Sequence, residues 1–226
     1  MSTWGFVVAM ASWAWLASWH ASEPGSDCVA STCWNTAERC PETAAHCLGI
    51  TLHVVHIAGR PVGEPAWVHE QIATANRHFA AIEVAFELAT VEAIGSNHRE
   101  VVTRLDRDRL GRHRFTNGTI HVFVVEHLAD VDAAGIIRGV HWRDRRDTTK
   151  RWIILSTAAM PGVLAHELGH FFGLPHSTHR ASIMNKRPHL HPPWAERSFV
   201  PSERQKMTRR AKELIQSGAL LIRSRA

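Results

Sequence analysis

The sequence predicts an α/β or α+β fold organised on one mixed sheet. The first observation behind this is the order of periodic segments: strand, helix, four strands, helix, loop, helix. The second is composition. A chain of 226 residues, 45% hydrophobic and 21% charged, is long enough to bury a core, with one domain expected per ~150 residues. The third is the hydropathy profile. Beyond the N-terminus no apolar run approaches the ~20 residues that a membrane span needs. A multi-span membrane protein is excluded, as are disorder, collagen and coiled coil.

The elements follow in order. Ile50 to Ile57 alternates as a strand, and Gly59, Pro61, Gly63 and Pro65 make a turn region. Val68, Ile72, Ala75, Phe79 and Ile82 recur at helical spacing, so the spacing predicts a long amphipathic helix over 65–82. Val84, Phe86 and Leu88 alternate as a second strand. Residues 95–118 are polar and charged, a loop with room for a short helix. Thr119 to Val125 is a central strand, and Gly135 to Trp142 and Arg151 to Ser156 are two more. Pro161 to Phe172 is helical. Pro188, Pro192, Pro193 and Pro201 keep 185–201 irregular. Ser202 with Gln205 reads as a capping box for a last helix, with Met207, Ala211 and Leu214 on one face and Gly218 as its stop. No internal repeat is visible.

Charge is uneven along the chain. Residues 1–137 hold 9 Lys and Arg against 15 Asp and Glu, while 138–226 hold 17 against 6. The two parts attract each other in a compact fold. Arg204, Lys206, Arg209, Arg210 and Lys212 read as the solvated face of the last helix, with an anionic surface as the alternative partner. No nucleic-acid motif is present, and no nucleic-acid partner is expected.

Trp4 to Ala17 is apolar apart from Gly5 and Ser12, too short for a span and suited to a signal-peptide core, although no Lys or Arg precedes it. Residues 1–22 are therefore expected to be a signal peptide and the protein secreted or extracytoplasmic. Residues 23–49 form a Cys-rich segment with Cys28, Cys33, Cys40 and Cys47. An even count in an exported chain reads as disulfides, and all three pairings are open. A zinc knuckle is the rival, but it lacks a C-x2-C pair.

The decisive stretch runs from His166 to His176: H-E-L-G-H-F-F-G-L-P-H. His166 and His170 are four apart, so their rings lie one above the other on one face of a helix. Gly173 can end that helix in a left-handed conformation, and the chain then returns His176 to the same point. Three neutral imidazoles on Zn²⁺ leave a fourth position open, as in catalytic sites. Glu167 follows the first ligand, so its carboxylate can reach water on the metal as general base without being a ligand.

These residues match H-E-x-x-H-x-x-G-x-x-H, and with Ser182-Ile183-Met184-Asn185 as a Met-turn the sequence resembles the metzincin zinc peptidases. Met184 lies 8 residues after His176, a short spacing that resembles the matrixin branch. The resemblance implies an α+β zincin fold, α/β-like in its upper part. That fold has a mixed twisted sheet, a long helix, an active-site helix and a small C-terminal subdomain with one helix. It places a catalytic domain at 50–218 and a tail at 219–226. It also implies one catalytic zinc and a cleft bordered by the edge strand 135–142, including Gly139 and Val140, which could take an extended peptide by strand addition. Val163 and residues 185–194, starting with Asn185, would line the pocket for the residue after the scissile bond.

Departures from the family pattern are instructive. Some metzincins place a Tyr after the Met-turn, and this chain has none. No calcium-loop run of Asp and Gly is present. Arg39-Cys40-Pro41 matches a latency switch only in part. His179, His189 and His191 read as loop histidines, and His53, His56 and His121 as structural ones. The leading expectation is a secreted, monomeric zinc endopeptidase acting on protein or peptide. Alternatives are a zinc amidase or aminopeptidase on the same scaffold, or a non-catalytic zinc-containing surface-binding protein.

Overall fold

Strand β1 (His46–Ile57) is the axis of the sheet. Its residues from Cys47 to Val55 are all buried, as expected of a parallel strand covered on both faces. A computed structural model describes residues 34, 39–187 and 191–224. The expected signal segment, Cys28, Cys33 and His189 lie outside these residues.

β3 (Val84–Ile94) pairs in parallel on one side of β1, and β5 (Ile120–Val125) on the other. The end of β1 turns back through β2 (Arg60–Pro61). β8 (Arg151–Ser156) runs parallel to β5, and β7 (Gly139–Arg143) closes the edge antiparallel to β8. Two short strands, β4 (Glu100–Val101) and β6 (His127–Leu128), pair beside the sheet. Four α-helices complete the described chain: α1 (Pro65–Phe79), α2 (Arg104–Arg112), α3 (Val163–Phe171) and α4 (Pro201–Gln216).

Strand alternation divides the core in two. Leu52, Val54, Val122, Val124, Ile153 and Leu155 share a cluster with Val68, Ile72 and Phe79 of α1 and Leu164 and Leu168 of α3. The intervening residues Val55, Phe123, Val125, Trp152 and Ile154 meet Leu110 of α2 instead. Gly111 permits that approach, because a Cβ there would stand 2.2 Å from the Trp152 ring.

Several boundaries differ from expectation, each for a tertiary reason. The long helix stops its α-hydrogen bonding at Phe79 and continues to Ile82 as a 3₁₀ turn, ended by Glu83 at φ 57°. β3 runs on past Leu88 to Ile94 because β1 pairs with it throughout. The strand expected from Gly135 begins only at Gly139, since Ile137 donates its N–H to Leu128 and Ile136 bridges Ala129. The charged stretch 95–118 does hold a short helix, as expected: α2, capped by Thr103 and Asp106. The last helix is capped at Val200 rather than Ser202: Pro201 takes the first turn, and Glu203 accepts the Val200 N–H at 3.0 Å.

The expected domain limits at 50 and 218 are too narrow. β1 starts at His46, and Cys40 is bonded to Cys47. That bond occupies the sulfur that the partial latency match would need free. At the other end Leu220 is buried, and Arg223 donates its N–H to Cys47 O at 2.9 Å.

His53 and His121 are buried side by side, 2.9 Å apart between ring nitrogens, with His53 stacked on Phe123. Burial, then the neighbouring charges of His121 and Arg114, lowers the His53 pKa to about 3, despite Glu92 at 3.0 Å. His121 is lowered too, chiefly by burial. Unfolding lets both take up protons below their ordinary range near 6.5, so stability falls as pH drops through that range. Each group contributes up to about 1.4 kcal/mol of loss per pH unit. Denaturant midpoints should therefore fall between about pH 7 and about pH 5, with a shallower fall in His53→Gln. Equal slopes in the two proteins would refute this account.

Candidate functional site

α3 presents His166, Glu167 and His170. Its first turn is held by a side chain of α1: Gln71 accepts the Leu164 N–H at 3.1 Å and donates to Ala159 O and Met160 O. Gly162 begins the helix at φ 92°. Gly173 ends it at φ 89°, with its N–H on His170 O and the Leu174 N–H on Gly169 O. This is a Schellman end, which reverses the chain in three residues. His176 then lies 4.7 Å from the His170 ring and 5.5 Å from the His166 ring, centroid to centroid.

One ligand nitrogen from each of the three histidines lies within 4.8 Å of the others. His166 Nδ1 is 2.8 Å from Ile183 O and His170 Nδ1 2.7 Å from Leu174 O. A carbonyl only accepts, so both Nδ1 atoms carry the proton and both Nε2 atoms offer lone pairs. Burial, opposed by the Ile183 bond, brings the His166 pKa down to about 4, and burial also lowers His170 and His176. Neutral, converging imidazoles fit a zinc ion, which requires deprotonated ligands.

The Met-turn builds this geometry from below. Asn185 donates its N–H to Ser182 O, closing the turn that aims Ile183 O at His166. The Met184 carbonyl accepts from Ser177, which ties the return loop of His176 to the turn. Met184 lies against Gly169, where a Cβ would come within 2.4 Å of its sulfur. Ser182 hydrogen-bonds Glu203 at 2.8 Å, so α4 anchors the turn.

Glu167 is held from the sheet. Its Oε2 accepts the His141 N–H of β7 at 2.7 Å. One cleft-facing N–H of the edge strand is therefore taken by the protein itself. Burial pushes the carboxyl up to about 8, against the His141 bond and the Arg107 charge. Gly139 makes room for it: a Cβ there would be 3.1 Å from Glu167 Cγ and 2.8 Å from Val163.

Two cavities meet at His166 and Glu167. One, of about 580 Å³, is walled by Val163, Gly139, Met160 and Trp194; the other, of about 780 Å³, reaches Val140, His170 and His176. Of the expected cleft residues, Val163, Gly139 and Val140 border these spaces. Asn185 does not. It is buried, bonding His179 O and the Arg187 N–H, and its neighbour Lys186 lines both cavities. Sequence reasoning missed Gln71, Glu203 and Arg197. Arg197 is buried and donates to the carbonyls of Pro192, Asn185 and Arg187, organising the loop that carries Lys186 and Trp194.

A mixed sheet above an H-E-x-x-H helix, a glycine-ended return to a third His and a Met-turn beneath define the metzincin class of zinc peptidases. The matrixin family model matches residues 74–194, more than half of the chain, so this chain belongs to the matrixin family and is a zinc metallopeptidase, a hydrolase. Among solved structures it is similar to archaemetzincin from Methanopyrus kandleri, with TM-score 0.52, 14% identity, and coverage of 73% of this chain and 96% of that one. It is also similar to metalloproteinase-II from Bacteroides fragilis, with TM-score 0.52, 14% identity, and coverage of 77% of this chain and 56% of that one. The chain thus spans little more than half of the second protein. At these identities the likeness is one of fold. No curated protein matches the sequence.

Gly169→Ala should destabilise the fold by about 1–3 kcal/mol through overpacking on Met184 and Phe199. Thermal unfolding measures it, and an unchanged midpoint would show that the Met-turn yields freely.

Proposed function

We propose that the protein is a secreted endopeptidase in which His166, His170 and His176 hold one zinc ion and Glu167 is the general base. The observation that carries this reading is the convergence of three ligand nitrogens beside a carboxylate in an open cleft. Zinc, when bound, supplies Lewis acidity that polarises a peptide carbonyl and acidifies water. Ile183 O and Leu174 O fix two of the three rings. His141 N–H occupies Glu167 Oε2, which leaves Oε1 to take a proton from the attacking water. Glu167 then passes that proton to the leaving amine. A nearby cation would return its raised pKa toward the ionised form.

Cavities on both sides of Glu167 favour cleavage within a chain over removal of a terminal residue, because a substrate can continue in each direction. The disulfide between Cys40 and Cys47 favours an oxidising compartment. Exposed Lys206, Arg209 and Lys212 on α4 suit an anionic surface as a second partner, with the enzyme acting as a monomer.

Glu167→Gln should keep zinc yet lose 10²-fold or more in peptide hydrolysis, about the general-base contribution. His166→Ala, His170→Ala and His176→Ala should each lose the metal. Paired measurement of zinc content and cleavage of an unfolded protein tests both. Cleavage by Glu167→Gln at the wild-type rate would overturn the role of the carboxylate, and full zinc in all three His variants would overturn the ligand set.

A further inference from the structure

The cavity on the Trp194 side of the cleft has an uneven lining. Ile136, Met160, Val163 and Trp194 give it apolar walls, with Ile136 72% and Met160 41% exposed. Its charged residues are Arg138, Lys186 and Glu167. Glu167 is buried, with one oxygen held by β7 and the other at the reaction centre. Arg138 and Lys186 are exposed, and neither side chain makes a hydrogen bond or ion pair with any described residue. Of the other arginines at the cleft, Arg107 and Arg143 line only the second cavity, where the Arg107 guanidinium donates to Ala129 O at 2.7 Å.

Both free cations sit on built supports. Arg138 precedes Gly139 at the start of β7, and its carbonyl accepts the Ser156 N–H at 3.0 Å. Lys186 stands on the loop that the buried Arg197 guanidinium fastens through the carbonyls on either side of it, Asn185 and Arg187. Across the cleft the second cavity, which shares Lys186 and Glu167, is balanced in sign, with Asp130 and Asp132 among its lining residues beside Arg107 and Arg143. The imbalance is confined to the Trp194 side.

We propose that Arg138 and Lys186 make this cavity selective for a carboxylate on a short apolar stem. The group is either an acidic side chain next to the scissile bond or the free carboxyl end of a short peptide. This rests on the peptidase reading given above. The apolar walls take the hydrocarbon stem, and the two cations meet the anion at its end. A Lys or Arg side chain would bring a third positive charge into the same space and is disfavoured.

The test is a set of quenched fluorescent peptides, alike except for Glu, Gln, Leu or Lys at each position flanking the scissile bond. All are amidated, and one matched pair ends in a free acid or an amide two residues beyond the bond. Mass spectrometry locates the cut. At one flanking position the expected order of kcat/KM is Glu above Gln above Lys, with each cation worth about two- to fivefold. Arg138→Gln and Lys186→Gln should each lower the Glu-to-Gln ratio by that factor. Lys186→Glu should move the preference toward Lys. A ratio is unaffected by partial loss of fold or zinc, which scales both substrates alike. Preference for the free-acid pair alone assigns the carboxyl terminus as the source, and preference for internal Glu alone assigns the side chain. Cleavage of all peptides at equal rates overturns the selectivity and leaves the peptidase reading intact. If wild type cleaves none, anisotropy of the same peptides on zinc-loaded protein decides: Glu-selective binding that Lys186→Gln abolishes sustains the carboxylate site while the peptidase reading fails. Equal binding overturns both.

Discussion

Three imidazoles can share one ion only if each turns a lone pair to the same point, and most of the lower half of this protein serves that requirement. A buried ring that offers Nε2 must donate its Nδ1 proton elsewhere, since a buried donor left unmade costs about 1–3 kcal/mol. Ile183 O meets this need for His166 and Leu174 O for His170. The Met-turn is therefore a carbonyl positioned at a fixed depth. Its other bonds keep it there: Ser182 to Glu203 on α4, and Met184 O to Ser177 on the strand of chain that returns His176. The helix end at Gly173 belongs to the same arrangement, because the Schellman reversal that exposes Leu174 O also sends His176 back.

The upper half supplies the carboxylate. β7 is an edge strand, and its outward backbone is what an extended substrate would meet. His141 gives up its N–H to Glu167 instead. The strand trades one docking group for a fixed carboxylate, and only a glycine at 139 lets strand and helix approach closely enough. Gln71 performs the matching task at the other end of α3, bonding the first-turn N–H of Leu164 and the carbonyls of Ala159 and Met160 together.

The proline-rich stretch after the Met-turn shows how an irregular segment becomes a pocket wall. Among its described residues, 185–187 and 191–200, the one helical element is a 3₁₀ turn at Trp194–Glu196. Its order comes from a buried guanidinium, Arg197, which satisfies three carbonyls and lies 5.7 Å from the Trp194 ring. A buried charge is tolerable when its donors are met in this way. The result holds Trp194 near the His166 ring, 5.8 Å away.

Much of the fold and the site was legible in the chain because the relevant signals are local. Helical spacing in 65–82, alternation in 119–125 and 151–156, and the four-residue step from His166 to His170 depend only on backbone repeat distances. Gly173 and Met184 are likewise legible from their distance along the chain to the histidines. What the tertiary structure decided concerns partners far apart in sequence. β3 is long because β1 lies beside it, and β7 starts late because Leu128 claims Ile137. Val200 rather than Ser202 caps α4 because Glu203 reaches back to it while also holding Ser182. Asn185 faces inward and Lys186 outward because Asn185 finds His179 O and the Arg187 N–H. Residue identity gives a polar side chain its capacity to bond. Which backbone group is within 3 Å of it is set only when segments distant in the chain are packed together.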